Sequence, residues 1–375
     1  MGSDKKIRVL ETIRQGKIGG GESHVLDLVA TLNKDEFEPV VLSFTDGPMI
    51  EALQQMGIPV RVIQSEKAFD IGVWKAVKRF IAAEKIDIVH VHGTRANTNV
   101  LWAARSLGLP IVYTIHGWSF HEGLHPVAKR LRIAAEKFIT GKARVNICVS
   151  AANQQAGNHA FGTFNSIVIR NGVNLQKFNA AGGYTDIRAL FNIPADKIVV
   201  CYIARMTYQK DPLTMVRAFA QAHAGAPQLH LLMVGDGELK EATMQEATKL
   251  GVERMITFAG FRQDIPAILS AADIYCLPSL WEGFPIGVLE AMAMGKAVVA
   301  TDVDGTREAV THNKNGVLVQ PQDVNGIAQE LIALATDPQR RASLQEEARA
   351  TVLQNFNVTG MTGAVEKVYH QLHKS

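Results

Sequence analysis

Residues Ala272-Asp-Ile-Tyr-Cys-Leu-Pro-Ser-Leu-Trp-Glu282-Gly-Phe-Pro-Ile-Gly-Val-Leu-Glu290-Ala read as a buried strand, a loop and the opening of a helix. Pro285 suits a first helical position, and Gly295 supplies a stop after Glu290-Ala-Met-Ala-Met. Glu282 therefore belongs to the loop and Glu290 to the helix. At a rise of ~1.5 Å per residue the two carboxylates stand on the order of 10 Å apart. That is wider than the about 5 Å of a carboxylate pair that forms a glycosyl-enzyme intermediate, and at the far edge of the spacing that admits a water. It suits two grips on one long ligand, with an anionic group between them at the helix N-terminus. A nucleotide-sugar has that shape. A solvated Glu282 and a surface Glu290 are the plainer alternative, but both fall at the carboxyl end of a strand, where open α/β sheets bind ligands.

Outward from this stretch, short apolar runs alternate with helical patterns. Ile7 to Ile13, Pro39 to Phe44, Ile86 to His92 and Ile111 to Ile115 are strand-like, with helical patterns at Gly21 to Asn33, Met49 to Met56 and Ala96 to Leu107 between them. The rhythm restarts at Ile198 and continues through Leu229, Ile256, Ile274 and Ala297. This predicts an α/β chain with two parallel sheets. Gly172, Gly182, Gly183 and Pro194 mark the join, giving domains 1–178 and 179–355 and a last helix within 356–375.

The length of 375 residues is enough for two cores, and 47% hydrophobic with 20% charged residues excludes a disordered chain. No apolar run reaches the roughly 20 residues of a membrane span and no signal region is evident, so a cytoplasmic protein is expected. Cys148, Cys201 and Cys276 lie in apolar runs and read as buried thiols. The net charge of +3 is uneven: residues 1–180 hold 22 Lys+Arg against 15 Asp+Glu, the rest 17 against 21. Much of the excess lies in Lys129-Arg-Leu-Arg-Ile-Ala-Ala-Glu-Lys-Phe-Ile-Thr-Gly-Lys-Ala-Arg144, where Leu131, Ile133, Ala134, Phe138 and Ile139 are expected to line one helix face. Such a run is either a solvated helix with a core face or a peripheral contact with an anionic membrane or lipid pyrophosphate. Nucleic acid is not expected as a partner, because no aromatic-interleaved basic stripe accompanies the charge.

Other stretches carry chemistry. Lys17-Ile-Gly-Gly-Gly-Glu-Ser follows the first strand and lets the backbone approach a ligand. In Ala204-Arg205-Met-Thr-Tyr-Gln-Lys210-Asp-Pro, a guanidinium and an ammonium at a strand end can neutralise a diphosphate. His116 ends the strand Val112-Tyr-Thr-Ile-His. His121-Glu-Gly-Leu-His125 has the letters of a zinc helix, but Gly123 and Pro126 argue against the helix it needs. Asp302-Val-Asp304 could suggest a metal-bound diphosphate, but the lysine and arginine already supply positive charge, so no metal or other cofactor is expected.

The E-G-F-x-x-x-x-x-E-A pattern, with these features, resembles glycosyltransferase family 4, retaining enzymes of the two-domain GT-B fold, over essentially the whole chain. The resemblance implies two Rossmann-like domains facing a cleft, an N-terminal acceptor domain, a C-terminal nucleotide-sugar domain, and a final helix packing back on the first. It implies that Glu282 lies by the donor hexose, that Glu290 holds the ribose, and that backbone amides of Gly283, Phe284, Val288 and Leu289 serve sugar and phosphates. It further assigns Gly20 and Gly21 to the donor and acceptor region, His116 to the hexose and Glu308 to the diphosphate. The family usually has glycine where Ala204 and Asp211 stand, a double glycine near Asp304 and Thr306, and often an aspartate after the histidine, where this chain has Gly117. The expected activity is transfer of a hexose or N-acetylhexosamine from a UDP-type donor to a glycan or lipid-linked acceptor in bacterial surface-polysaccharide or lipopolysaccharide synthesis. A same-fold epimerase and a non-catalytic nucleotide-sugar-binding module are the alternatives.

Overall fold

The computed structural model describes residues 5–16, 19–121 and 123–374. They form two compact units, one running to Gly172 and resuming at Val358, the other Val173–Asn357. In the first, strands β1 (Ile7–Ile13), β2 (Phe37–Ser43), β3 (Val60–Val62), β4 (Ile88–His92), β5 (Ile111–Ile115), β6 (Val145–Cys148) and β7 (Ser166–Val168) pair in the order β3-β2-β1-β4-β5-β6-β7. In the second, β8 (Ile198–Ile203), β9 (Leu229–Val234), β10 (Ile256–Gly260), β11 (Ile274–Leu277), β12 (Ala297–Thr301) and β13 (Val317–Val319) pair in the order β10-β9-β8-β11-β12-β13. Neighbouring strands are parallel throughout. Parallel neighbours require crossovers, and helices supply them on both faces, which is why the strands read as apolar runs rather than alternating ones.

Both sheets reverse direction of growth once, between β1 and β4 and between β8 and β11. At such a reversal the connections leave toward opposite faces and open a crevice at the strands' carboxyl ends. The loops after β1, β8 and β11 are the Gly-rich, Arg205–Lys210 and Glu282 segments.

The observed boundaries fall at 172/173 and 357/358 rather than 178/179 and 355/356. Val173 donates its N–H to the Phe356 carbonyl at 2.8 Å and bridges to Asn357, while Phe178 is buried, so residues 173–178 and 356–357 belong to the second unit. The last helix, Val358–His373, lays Val358, Met361, Val365, Val368 and Tyr369 on the first sheet, against Ile7, Val9, Ile88 and Val112. Their spacing makes one helical stripe.

The basic segment forms a helix, Pro126–Thr140, but its inward face differs from the expected one. Glu136, Ile139 and Thr140 are buried, whereas Leu131, Ala134 and Phe138 face outward. Orientation is set by the Glu136 carboxylate, which accepts from Thr94 at 2.6 Å, from the Ser119 N–H at 3.2 Å and from Tyr113 at 3.2 Å. A buried acid with three donors outweighs the apolar pattern in fixing which side faces in. The three cysteines are free and buried, and burial pushes the thiols of Cys148 and Cys276 up to about 12. No helix of the described residues is long and apolar enough to cross a membrane.

Candidate active site

In the second unit two loops merge into one platform. After β8 the chain makes a tight turn over Tyr208–Lys210 and enters helix Pro212–Gly225 through Asp211, whose φ is 43°. That left-handed conformation is the one glycine normally serves, so the residue in the family's glycine position keeps the glycine-like backbone. Asp211 also caps the helix, accepting the Thr214 N–H at 3.2 Å. The loop after β11 is fastened to this turn: the Leu280 N–H donates to the Gln209 carbonyl and the Gln209 amide to the Trp281 carbonyl, both at 2.8 Å. Lys210 and Glu282 form a mostly buried ion pair. The Tyr202 hydroxyl lies 3.3 Å from the carbonyls of both Arg205 and Lys210. Arg205 itself is exposed.

Beyond Glu282 the chain turns into helix Ile286–Ala293, with Pro285 one position earlier than a first helical residue. The N–H groups of Val288 and Leu289 bond the Pro285 carbonyl at 3.1 and 3.3 Å, so these two expected donors already close the first turn. The first-turn amides without an intrahelical acceptor are those of Ile286 and Gly287. The side chains of Phe284, Val288 and Leu289 are buried. Gly287 is required where it stands, since a Cβ would lie 2.7 Å from the Tyr275 hydroxyl. Gly305 is equally constrained: a Cβ there would meet the Gly283 carbonyl oxygen at 1.9 Å. Glu290 lies one turn into the helix, partly exposed, close enough to Tyr275 to add to the burial that holds its phenol neutral. Glu308 is partly exposed in helix Asp304–Ala309.

In the first unit, Lys17 and Ile18 of the Gly-rich loop lie outside the described residues. Gly20 opens helix Gly20–Thr31. A Cβ on Gly21 would contact the His116 ring at 3.6 Å, so these two expected site residues are neighbours. His116 is also the end of a chain of polar groups that sequence reasoning missed. Glu11 of β1, fully buried, accepts from His92 Nε2 at 2.8 Å and from the Tyr369 hydroxyl of the last helix at 2.7 Å. His92 Nδ1 lies 3.1 Å from His116 Nε2. His90 Nδ1 meets the Tyr369 hydroxyl at 2.5 Å, and His24 Nδ1 meets Asn171 Oδ1 at 3.1 Å. The available signal was His90-Val-His92 in an apolar strand, since a period of two puts both imidazoles on one sheet face.

Proton bookkeeping fixes this chain. Burial would raise the Glu11 carboxyl, but the charge of His90 and the bonds from His90 and His92 outweigh it and hold the group below the ordinary carboxylate range. Burial lowers His92 to about 4 and His24 to about 3, and moves His116 well below its ordinary value. The imidazoles of His24, His92 and His116 are therefore neutral near pH 7. His92 spends its one proton on Glu11, which leaves Nδ1 as an acceptor. His116 must then donate from Nε2, and its Nδ1 is left without a proton. Where relatives often carry an aspartate after the histidine, this chain has Gly117, and the His116 ring is instead bonded to Glu11 through His92.

Ligand atoms of His24, His92 and His116, and separately of Glu11, His90 and His92, lie within 4.8 Å of one another and are the described groups able to hold a cation. The hydrogen bonds above employ the same lone pairs of Glu11 and His92. Of the other candidates, Glu122 lies outside the described residues, His121 and residues 123–125 are not helical, and the helix begins at Pro126. The Asp302 carboxylate is engaged by Arg307 at 2.5 Å, which holds it below its usual range.

The histidines make stability depend on acid. A buried imidazole with a depressed pKa binds fewer protons folded than unfolded between its ordinary value near 6.5 and about 4. Stability therefore falls as pH drops through that window, and Glu11 adds to the loss below about 4.5, where only the unfolded carboxyl is protonated. Between pH 7 and 5 the unfolding free energy should fall by up to about 1.4 kcal/mol per pH unit for each histidine taking part. Urea titrations at the two pH values measure it, and equal midpoints would show that the histidines are not held neutral.

Comparison with known proteins gives these sites a family. Residues 18–177 match the model of Glycosyltransferase Family 4, and residues 184–351 match that of Glycosyl transferases group 1. The UDP-Gal:alpha-D-GlcNAc-diphosphoundecaprenol alpha-1,3-galactosyltransferase of Escherichia coli is 26% identical, with 97% of each chain covered. The phosphatidyl-myo-inositol mannosyltransferase of Mycolicibacterium smegmatis is 27% identical over 94% of this chain and 90% of its own. Among solved structures, Anabaena HepE in complex with UDP and glucose superposes with a TM-score of 0.86 at 26% identity, covering 97% of this chain and 99% of that one. Two doubly wound units, family models that together span most of the sequence, and relatives matched nearly end to end lead to one conclusion: the chain is a GT-B glycosyltransferase of the family 4 type.

Proposed function

We propose that this protein transfers a hexose or N-acetylhexosamine, with retention of configuration, from a UDP-sugar to a hydroxyl of a glycan or lipid-linked acceptor in bacterial surface-polysaccharide synthesis. The observation that carries this reading is the convergence of Arg205, the Lys210–Glu282 pair and the start of helix Ile286–Ala293 at the carboxyl ends of β8 and β11. A diphosphate there meets an exposed guanidinium, an ammonium already fixed by its carboxylate partner, and the first-turn amides of a helix. Glu290 is assigned to the ribose, and His116, by family likeness, to the hexose. As the sugar–phosphate bond breaks, negative charge grows on the leaving oxygen, and cations and dipoles fixed beforehand stabilise that charge more than the ground state.

Glu282 bonded to Lys210 is a poor nucleophile, which favours a front-face route. The acceptor hydroxyl attacks from the side the diphosphate leaves, and the leaving phosphate oxygen takes the acceptor proton. With cations supplied by side chains, no divalent metal is needed. The UDP named for HepE and the diphosphoundecaprenol named for the Escherichia coli relative support the choice of donor and acceptor class.

Three measurements test this. Glu290→Gln should weaken UDP binding by about 1.5 to 3 kcal/mol, the worth of a charge-assisted hydrogen bond, in titration calorimetry. Unchanged affinity would give Glu290 a structural role. Arg205→Ala should lower turnover about 100-fold or more while leaving the urea midpoint in place, and near-normal turnover would remove Arg205 from the reaction. It is a cleaner probe than Lys210→Ala, which strands the Glu282 charge. Finally, proton NMR of the anomeric signal during turnover in EDTA should show a product that keeps the donor's configuration. An inverted product overturns the retaining route, activity restored only by a divalent ion overturns metal independence, and an acceptor-independent epimerised nucleotide-sugar overturns transfer itself.

A further inference from the structure

Helix Pro126–Thr140 carries apolar side chains on the face it turns to water. Val127, Leu131, Ala134 and Phe138 follow at steps of four, three and four residues, which is a single stripe along a helix. Val127 is 58% exposed, Leu131 67% and Phe138 51%. Glu136, Ile139 and Thr140 anchor the helix from the opposite side, while Val127, Leu131 and Phe138 keep half or more of their surface in water. A surface helix normally places polar residues there.

The surroundings of the stripe are cationic. Between Pro126 and Arg144 stand Lys129, Arg130, Arg132, Lys137, Lys142 and Arg144 against one acid, Glu136, which is buried. Arg130 and Lys137 are exposed and lie one position from stripe residues, and the Lys142 ammonium lies 5.5 Å from the centre of the Phe138 ring. The outward face thus offers apolar and positive groups with no carboxylate among them.

The geometry points to a bilayer surface bearing anionic headgroups as the occupant of this face. The stripe reaches the boundary of the acyl chains, and the basic side chains remain at headgroup level. Four apolar side chains give only shallow insertion, so the attraction of the basic groups to anionic lipid is an essential part of the binding, and added salt weakens it. This inference does not rest on the transferase reading, since it uses no group of the donor site.

The test is sedimentation of the full chain with vesicles of phosphatidylethanolamine and phosphatidylglycerol, alongside vesicles of phosphatidylcholine alone. The protein should sediment with the anionic vesicles at low salt, bind the neutral ones at least about tenfold more weakly, and be released by high salt. Leu131→Gln with Phe138→Gln should lower the apparent affinity about tenfold or more. Both side chains are exposed, so the variant should retain its circular dichroism and its affinity for UDP, which separates failure of this inference from failure of the donor-site reading. A wild-type chain that stays in solution with anionic vesicles, or a variant that sediments equally well, overturns the assignment. So does a dimer seen by light scattering that the variant abolishes in the absence of vesicle binding, because the stripe would then belong to a second copy.

Discussion

A parallel sheet that reverses its strand order has one place where neighbouring crossovers diverge, and both units of this chain build there. The constraint is topological, and it decides where loops can be long and chemically specialised without disturbing a buried sheet. Beside β8 and β11 the specialisation is charge: Lys210 is bonded to Glu282 across two loops that also share backbone bonds, and Arg205 stands exposed beside them. Beside β1, β4 and β5 it is imidazole: burial keeps His92 neutral, and one buried carboxylate fixes which of its nitrogens carries the proton. One topology thus supports an electrostatic site and a hydrogen-bonding site because only the loops and strand-end side chains differ.

The Glu11 carboxylate shows what the second kind of site demands. A buried charge is tolerated only when several donors converge on it. Here they come from β4 and from Tyr369, more than three hundred and fifty positions along the chain. The last helix is therefore part of the site's support as well as a cover for apolar residues. Removing it would leave a buried anion short of one donor as well as exposing a stripe of the core.

That dependence also explains what could be read in the sequence. The strands, both sheets and the placement of Arg205, Lys210, Glu282 and Glu290 follow from local signals: apolar runs, a proline and a glycine bounding a helix, charges at strand ends. Glu11 and His24 gave no local signal, and the pair His90-Val-His92 gains its meaning only once the register places Glu11 opposite His90. The inward face of helix Pro126–Thr140 was misread for a related reason. Apolar spacing alone cannot say which of two faces is buried when a single acid has three donors waiting for it inside the fold.

Glu136 carries that argument one step further. It receives the Ser119 N–H, and Arg132 of the same helix donates to the Ser119 carbonyl at 2.7 Å, so both backbone groups of Ser119 are tied to this helix. Ser119 follows His116-Gly117-Trp118, and Trp118 is itself fixed, stacked on Phe120 and donating to the Asn153 carbonyl at 2.8 Å. The outward stripe of the helix and the loop that carries His116 are thus opposite sides of one hydrogen-bonded element, about one helix diameter of 10 Å apart. An acceptor anchored in a bilayer has to present its hydroxyl at a fixed height above the lipid. On the proposed reading, in which the stripe meets the headgroups and the acceptor is lipid-linked, a helix that holds the His116 loop by its backbone would set such a height through packing alone, without any moving part.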